Sequence, residues 1–261
     1  MQEEIIEIQI KKKYVTLIFK SFKINISKNT YLENYFYVGK KLSQNDIDNL
    51  KDKEKEIVIN NYLNNILNKY TYSYKQIKNK LKEKFKLSDE KIDELLNPYI
   101  ESNLISNKNY CYTLIDSLYL KKFSKEYILD RINKEEIIID DDISSYLEQT
   151  CIYNKEFFYN VINKLDLRFK SYPINKRKDK IIDYFYKHGF YNKEYKSNLN
   201  DFYLNKKEND DIYKRLEKDY QKLNYQLKNK ELSEFERKKK IISKLLQKGY
   251  SIQDINFILK L

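Results

Sequence analysis

Apolar and polar positions alternate along the first stretch of the chain. Ile6, Ile8 and Ile10 flank Glu7 and Gln9, then come Val15, Leu17 and Phe19, then Phe22, Ile24 and Ile26. A period of two is that of a strand with one buried face. Two or three short antiparallel strands are predicted, with turns near Lys11–Lys13 and Lys20–Ser21. Ser27 and Asn29 are placed to cap a short helix over Tyr31–Tyr37, ended by Gly39. Residues 1–42 make too small a sheet to stand alone and are expected to dock on the helical part of the chain.

From Ser43 the period changes to that of helices. Ser43 with Asp46 is a capping-box start, and Ile57, Ile59, Leu63, Ile66 and Leu67 share a face. Ser73 opens a second helix with Ile77 and Leu81 inward. Ser88 opens a third through Ile92, Leu95, Leu96 and Ile100, which Pro98 should kink or split. The triplet recurs: Tyr110, Leu114 and Leu118; then Ser124 with Ile128 and Ile132; then Asp140 with Ile143 and Leu147. Phe157, Val161, Ile162 and Leu165 begin another unit, continued from Asn175 through Ile181, Ile182 and Phe185. The last has a charged helix over 210–230, one from Ser233 to Lys248, and a terminal one from Ser251. Second-helix caps at Ser73, Ser124, Asn175 and Ser233 give a period near fifty, the mark of stacked helical modules. Residues 178–190 align with 238–250, and five of the thirteen positions are identical, including Gly189 and Gly249. Each glycine sits where a helix must stop in a left-handed residue, with an aromatic folding back behind it.

The predicted fold is therefore mainly α: tandem three-helix, helix-turn-helix-like repeats forming a curved solenoid, with a small N-terminal antiparallel β segment. The expected divisions are 1–42 (the β segment with a short helix), 43–106, 107–150, 151–207 and 208–261.

Composition narrows the function. With 3 Gly and 2 Pro in 261 residues, sandwiches and propellers are poor candidates. Dinucleotide and P-loop enzymes, whose phosphate turns need clustered glycines, are poor candidates too. The formal charge is +12, but the chain has no Ala or Trp and only 5 Arg against 46 Lys. Such a set is what an AT-rich genome writes, so abundance of Lys says little about a partner. Its distribution says more: residues 1–150 sum to +1 and 151–261 to +11, while 91–150 sum to −5.

Catalytic chemistry is hard to assemble. His188 is the only histidine, which speaks against a His-rich metal centre or a nucleophile–His relay. Its place before Gly189 marks it as a helix C-terminal residue. Asp140–Asp142 lacks calcium-loop spacing and suits a helix start. Cys111 and Cys151 read as reduced, buried structural thiols. No cofactor, no metal and no enzymatic activity are expected. No apolar run approaches a membrane span and Met1–Glu4 is acidic, so a cytoplasmic protein with no membrane partner is expected, most simply a monomer.

The order of these features resembles the RecX family of regulators of the bacterial recombinase RecA. The resemblance runs from the N-terminal sheet and Tyr37-Val38-Gly39-Lys40-Lys41-Leu42, through Leu63 to Ser73. It continues at the junction Asn103-Leu104-Ile105-Ser106-Asn107 with Tyr110-Cys111. It is closest at Leu245-Leu246-Gln247-Lys248-Gly249-Tyr250-Ser251 with Ile255. The sequence departs from the family at Ser106 and Asn107, where acids are usual, and at Asn103 in place of glycine. It departs also at Glu135-Glu136-Ile137, where a basic residue and glycine are typical. Four units are more than the family's short members hold.

The resemblance implies a non-enzymatic modulator that binds the RecA–DNA filament in its groove and limits filament extension, ATP hydrolysis and strand exchange. Basic candidates for contact with the filament or the DNA backbone, single- or double-stranded, are Lys176, Arg177, Lys178 and Lys180 in one repeat. In the next they are Arg237, Lys238, Lys239, Lys240, Lys244 and Lys248. Tyr184, Tyr186 and Tyr250 lie nearby as stacking candidates, with core packing as their other use. A stand-alone helix-turn-helix DNA-binding protein and a helical protein-interaction scaffold remain alternatives, although lysines suit backbone contact better than base readout.

Overall fold

The structure is a computed structural model that describes residues 2–208, 210–228 and 232–259. The chain divides into two compact units, Met1–Ser106 and Asn107–Leu261.

The first unit opens with β1 (Gln2–Glu4), β2 (Glu7–Ile10), β3 (Val15–Ile18) and β4 (Lys23–Ile26). The order β2-β3-β4 is an antiparallel meander in which Ile8 faces Leu17 and Leu17 faces Ile24. Val15, Leu17, Phe19, Ile24 and Ile26 are buried against Ile47 and Leu50. Ile6 and Ile10 depart from the simple alternation: both are exposed. Ile10 ends the edge strand β2 and Ile6 precedes it.

The helix α1 (Lys28–Asn34) is capped by Ser27, whose Oγ accepts the Thr30 N–H. It starts and stops about three residues earlier than predicted. Tyr35 in the left-handed region ends it, and Gly39 does not; Gly39 turns the chain with φ +93° into β5 (Lys41–Ser43). The strand β5 pairs antiparallel with β1, a contact too short to leave an alternating pattern.

Three helices complete this unit: α2 (Gln44–Leu67), α3 (Tyr74–Phe85) and α4 (Asp89–Glu101). Ser43 and Asp46 close a reciprocal capping box, and Ser73 and Ser88 cap the next two helices. Ile59, Leu63, Ile77, Leu81, Ile92 and Leu96 form their core. Pro98 does not split α4. Glu94, whose carbonyl loses its partner N–H, lies on the exposed face, where the unpaired carbonyl is not buried.

The second unit contains α5 (Asn107–Leu120), α6 (Lys125–Lys134), α7 (Asp141–Thr150), α8 (Lys155–Arg168), α9 (Ile174–Lys187) and α10 (Lys196–Tyr203). It ends with α11 (Asp210–Lys228), α12 (Glu234–Gln247) and α13 (Ile252–Leu259). Each successive trio surrounds its own apolar cluster. Asp140 caps α7 through the Ile143 N–H, so the acidic run does helix-start work. Both thiols are free and buried, and burial pushes the Cys111 thiol up to about 11. The 210–230 helix is described to Lys228, and Lys230 lies outside the described residues.

One expectation is corrected here. The N-cap of α9 is Pro173, not Asn175, with no side-chain cap bond. The three-helix repeat implies a third helix in this unit, and α10 supplies it. It has neither a side-chain cap nor a polar N-cap to announce it.

The aligned repeat is carried by backbone geometry. Gly189 and Gly249 have φ of +89° and +93°. In each case the glycine N–H donates two residues behind the cap and the next aromatic N–H donates to the residue before that, closing the turn. Phe190 and Tyr250 are buried behind it. Two departures from the glycine pattern keep the same backbone: Asn103 and Glu136 take φ of +60° and +59°.

Candidate functional site

The basic residues of the third and fourth trios lie on equivalent helices but in unequal surroundings. On α9, Arg177 is 4% exposed and is no surface cation. Its Nη1 donates to Asp166 Oδ1 at 3.0 Å and its Nη2 to Glu208 Oε2 at 2.8 Å. Asp166 also accepts from Tyr203 OH and Lys206 Nζ, each at 2.5 Å. Burial by itself would raise the Asp166 carboxyl, but Lys206, Tyr203 and Arg177 together hold it below the usual carboxylate range. Arg177 is therefore removed from the candidate binding residues, for the physical reason that its charge is spent inside the fold.

The rest of that set is half-buried. Lys178 Nζ lies 5.1 Å from the Tyr203 ring centre, and Lys180 Nζ lies 4.5 Å from that of Tyr172. Their stems cover apolar surface and their charges rest over aromatic faces. Lys176 packs its Cβ beside Gly249, where an added Cβ would come within 2.6 Å.

On α12 the picture is more open. Lys238, Lys239, Lys240 and Lys244 are exposed, while Ile241 and Leu245 face the core. Arg237, Lys240, Lys244 and Lys248 recur at i, i+3, i+7 and i+11 and so share one flank of the helix. Lys238 sits on the other flank beside Glu234, at 3.4 Å. Lys248 Nζ bonds Asp219 at 2.6 Å. Arg237 is half-buried, its Nε enclosed without a protein partner.

Of the three tyrosines considered for stacking, Tyr250 is buried and donates to Asp219 Oδ2 at 2.9 Å. Tyr184 is half-buried against His188, with ring centres 3.8 Å apart. Only Tyr186 of the three is exposed. His188 is the C-cap of α9, its Nδ1 2.7 Å from the Tyr184 carbonyl. Burial holds its pKa below the usual histidine value.

One cation has no place in the sequence pattern. Arg215, on α11, lines a cavity with Lys176 and Lys248, and its Nη1 donates to the Ser171 carbonyl at 2.9 Å. It lies outside the aligned segments. The trace it leaves in the sequence is its type: with 5 Arg among 51 basic residues, an arginine marks a place where planar, directed donation is used. The same clue applies to Arg177.

No group of three or more His, Cys, Asp or Glu placed to hold a metal lies among the described residues. No helix among them is long and apolar enough to cross a membrane. Trios of helices, each around its own core, define a helical-repeat protein with a short N-terminal sheet. No protein-family model matches the sequence, and no curated protein matches it. A solved structure described as "Crystal structure of regulatory protein RecX" aligns with 78% of this chain and 100% of its own. The TM-score is 0.46 and the sequence identity 16%.

Proposed function

We propose that this protein is a non-enzymatic modulator of a RecA-type recombinase, binding the groove of the recombinase–DNA filament and limiting its extension, ATP hydrolysis and strand exchange. The reading is supported by the order of motifs along the chain, which resembles that of RecX proteins. The observation that carries it is the repeated module itself. The helix end Lys248-Gly249-Tyr250 recurs at His188-Gly189-Phe190, and the two ends have the same backbone conformation. Repeats of this kind suit a periodic partner. Lys239, Lys240 and Lys244 project from the last of them and form no ion pair within 4.0 Å among the described residues, although Lys240 acts on the Glu236 carboxylate one turn before it. Lysine offers a point charge without base-reading geometry, so contact is with the phosphate backbone or an acidic protein face.

The test measures ATP hydrolysis by RecA assembled on single-stranded DNA while this protein is added substoichiometrically. Inhibition is expected, and charge reversal at Lys238, Lys239 and Lys240 should weaken it at physiological salt. No loss of hydrolysis at any ratio would sink the proposal. Preference for one DNA sequence in the absence of RecA would favour a stand-alone DNA-binding protein instead.

A further inference from the structure

Repeat helix ends do more than stop in this chain; they dock. The end of α9 lies on the start of α6, where Ser124 N–H donates to the His188 carbonyl at 2.8 Å and Ser124 Oγ to the Gly189 carbonyl at 2.9 Å. The end of α12 packs on the start of α9, Gly249 against Lys176. Position by position the two joints correspond. Phe123 precedes one N-cap and Tyr172 the other; Tyr127 and Lys176 stand three residues after the caps; His188 and Lys248 are the C-caps that arrive.

The contents of the joints differ in kind. In the first, three neutral rings stack: Tyr127 on Phe123 at 4.3 Å and Phe123 on His188 at 4.6 Å between centres. In the second, two lysines replace two of those rings, and a cavity of about 220 Å³ is left. It is lined by Tyr172, Lys176, Arg215, Asp219, Lys248 and Tyr250, with Pro173 at its edge. The only carboxylate in that wall, Asp219, is already engaged by Lys248 Nζ and the Tyr250 hydroxyl. Lys176 and Arg215 form no ion pair among the described residues. At the start of α9 the Ile174 N–H is taken by Glu208, whose other oxygen is held by Arg177. Lys176, Arg215 and Lys248 share that wall with a single carboxylate, so the concave space keeps an excess of positive charge that favours entry of an anion.

We infer that this joint is a binding pocket for a phosphoryl group, held by Lys176, Arg215 and Lys248. The assignment rests on the reading of the C-terminal half as a phosphate-facing surface and gives that surface a specific seat. The shared chemistry is a tetrahedral oxyanion, supplied either by a nucleic-acid backbone or by a free phosphate. A planar guanidinium and two point charges around a small void suit such an anion better than a carboxylate-bearing helix, for which the space is too small.

The experiment uses the full chain without RecA, and two probes. Inorganic phosphate is titrated against chloride at matched ionic strength and monitored by thermal unfolding; a fluorescent single-stranded oligonucleotide is titrated by anisotropy. The first variant is Lys176→Ala with Arg215→Ala. The second, Lys176→Tyr with Lys248→His, installs the ring set that already packs at the other joint, so folding is expected to survive. The control, Lys214→Ala with Lys218→Ala, removes the same charge from exposed sites on α11.

Both pocket variants should lose at least tenfold in oligonucleotide affinity and lower the salt slope by about one to two, with the control losing far less. Phosphate stabilisation confined to the wild type and the control, with oligonucleotide affinity unchanged, would assign the pocket to a free phosphate. Equal losses in pocket and control variants, or no loss with either probe, would overturn it. Undiminished inhibition of RecA by the pocket variants would then show that the modulator reading stands while the pocket fails.

Discussion

Replacing Arg177 by methionine removes a guanidinium while keeping most of an unbranched stem, so the perturbation is mainly electrostatic. Two buried carboxylates depend on that group. Asp166 keeps Lys206 Nζ and Tyr203 OH at 2.5 Å each, and its loss is partial. Glu208, with a side chain 6% exposed, keeps the Ile174 N–H as its hydrogen-bond partner among the described residues. Hydrogen bonds to charged groups contribute about 1.5–3 kcal/mol each, and removing one partner of a buried pair costs about 3–5 kcal/mol. Because Asp166 retains two donors, the lower end applies: a loss of about 3 kcal/mol. Urea unfolding at pH 7 reads it directly, since slopes of about 1–3 kcal/mol per molar turn that loss into a midpoint shift of at least about 1 M. The double variant Arg177→Met, Glu208→Gln should recover part of the loss, because the stranded charge is then gone. A single variant within about 0.5 kcal/mol of the wild type, the range of ordinary surface changes, would refute the buried clamp and return Arg177 to the surface candidates.

The other predictions concern the joint of α6 with α9. Gly189→Ala places a Cβ 2.6 Å from Ser124 Oγ and 2.7 Å from Tyr127 Cβ, at φ +89°. Left-handed strain of about 1–2 kcal/mol then adds to overpacking of about 1–3 kcal/mol, and a loss below about 1 kcal/mol in denaturant unfolding would contradict the packed joint. His188 sets a pH dependence. Its folded pKa lies below the ordinary histidine value of 6.5, so the unfolded chain binds the proton more readily and stability falls as pH drops from 6.5 through the folded value. His188→Gln should flatten the unfolding midpoint between pH 7 and 5, and an unchanged slope would mean the imidazole is not the group responsible.

Helices are readable where local chemistry announces them. Ser43, Ser73, Ser88, Ser124, Asp140 and Ser233 each accept an N–H three residues on, and that bond needs nothing outside four residues of sequence. Where a distant group does the same work, the local pattern misleads. The first N–H of α9 is taken by Glu208, 34 residues on, so Asn175 resembles the cap and Pro173 does not. The start of α10 has no such acceptor. Strand β1 is hidden for a related reason, since three residues paired with 41–43 leave no period to count. The candidate site is legible as a set of equivalent positions, but the burial of Arg177 depends on Asp166 and Glu208, which no helical period connects to it.

The excess of +11 in residues 151–261 therefore overstates the positive charge that a partner meets. Arg177 is enclosed with two acids, Lys206 is turned onto Asp166, and Lys248 is held by Asp219. Arg177 and Lys206 are spent on that internal clamp, while Lys248 still lines the open cavity beside Asp219. Equivalent backbone turns carry different side chains: rings at one joint, lysines at the next. Repetition of the fold thus fixes where side chains stand, while the choice between Tyr127 and Lys176, or between His188 and Lys248, decides whether a joint is closed or charged. A partner that tracks the repeat would meet the same geometry at each step and find its electrostatic hold only toward the last.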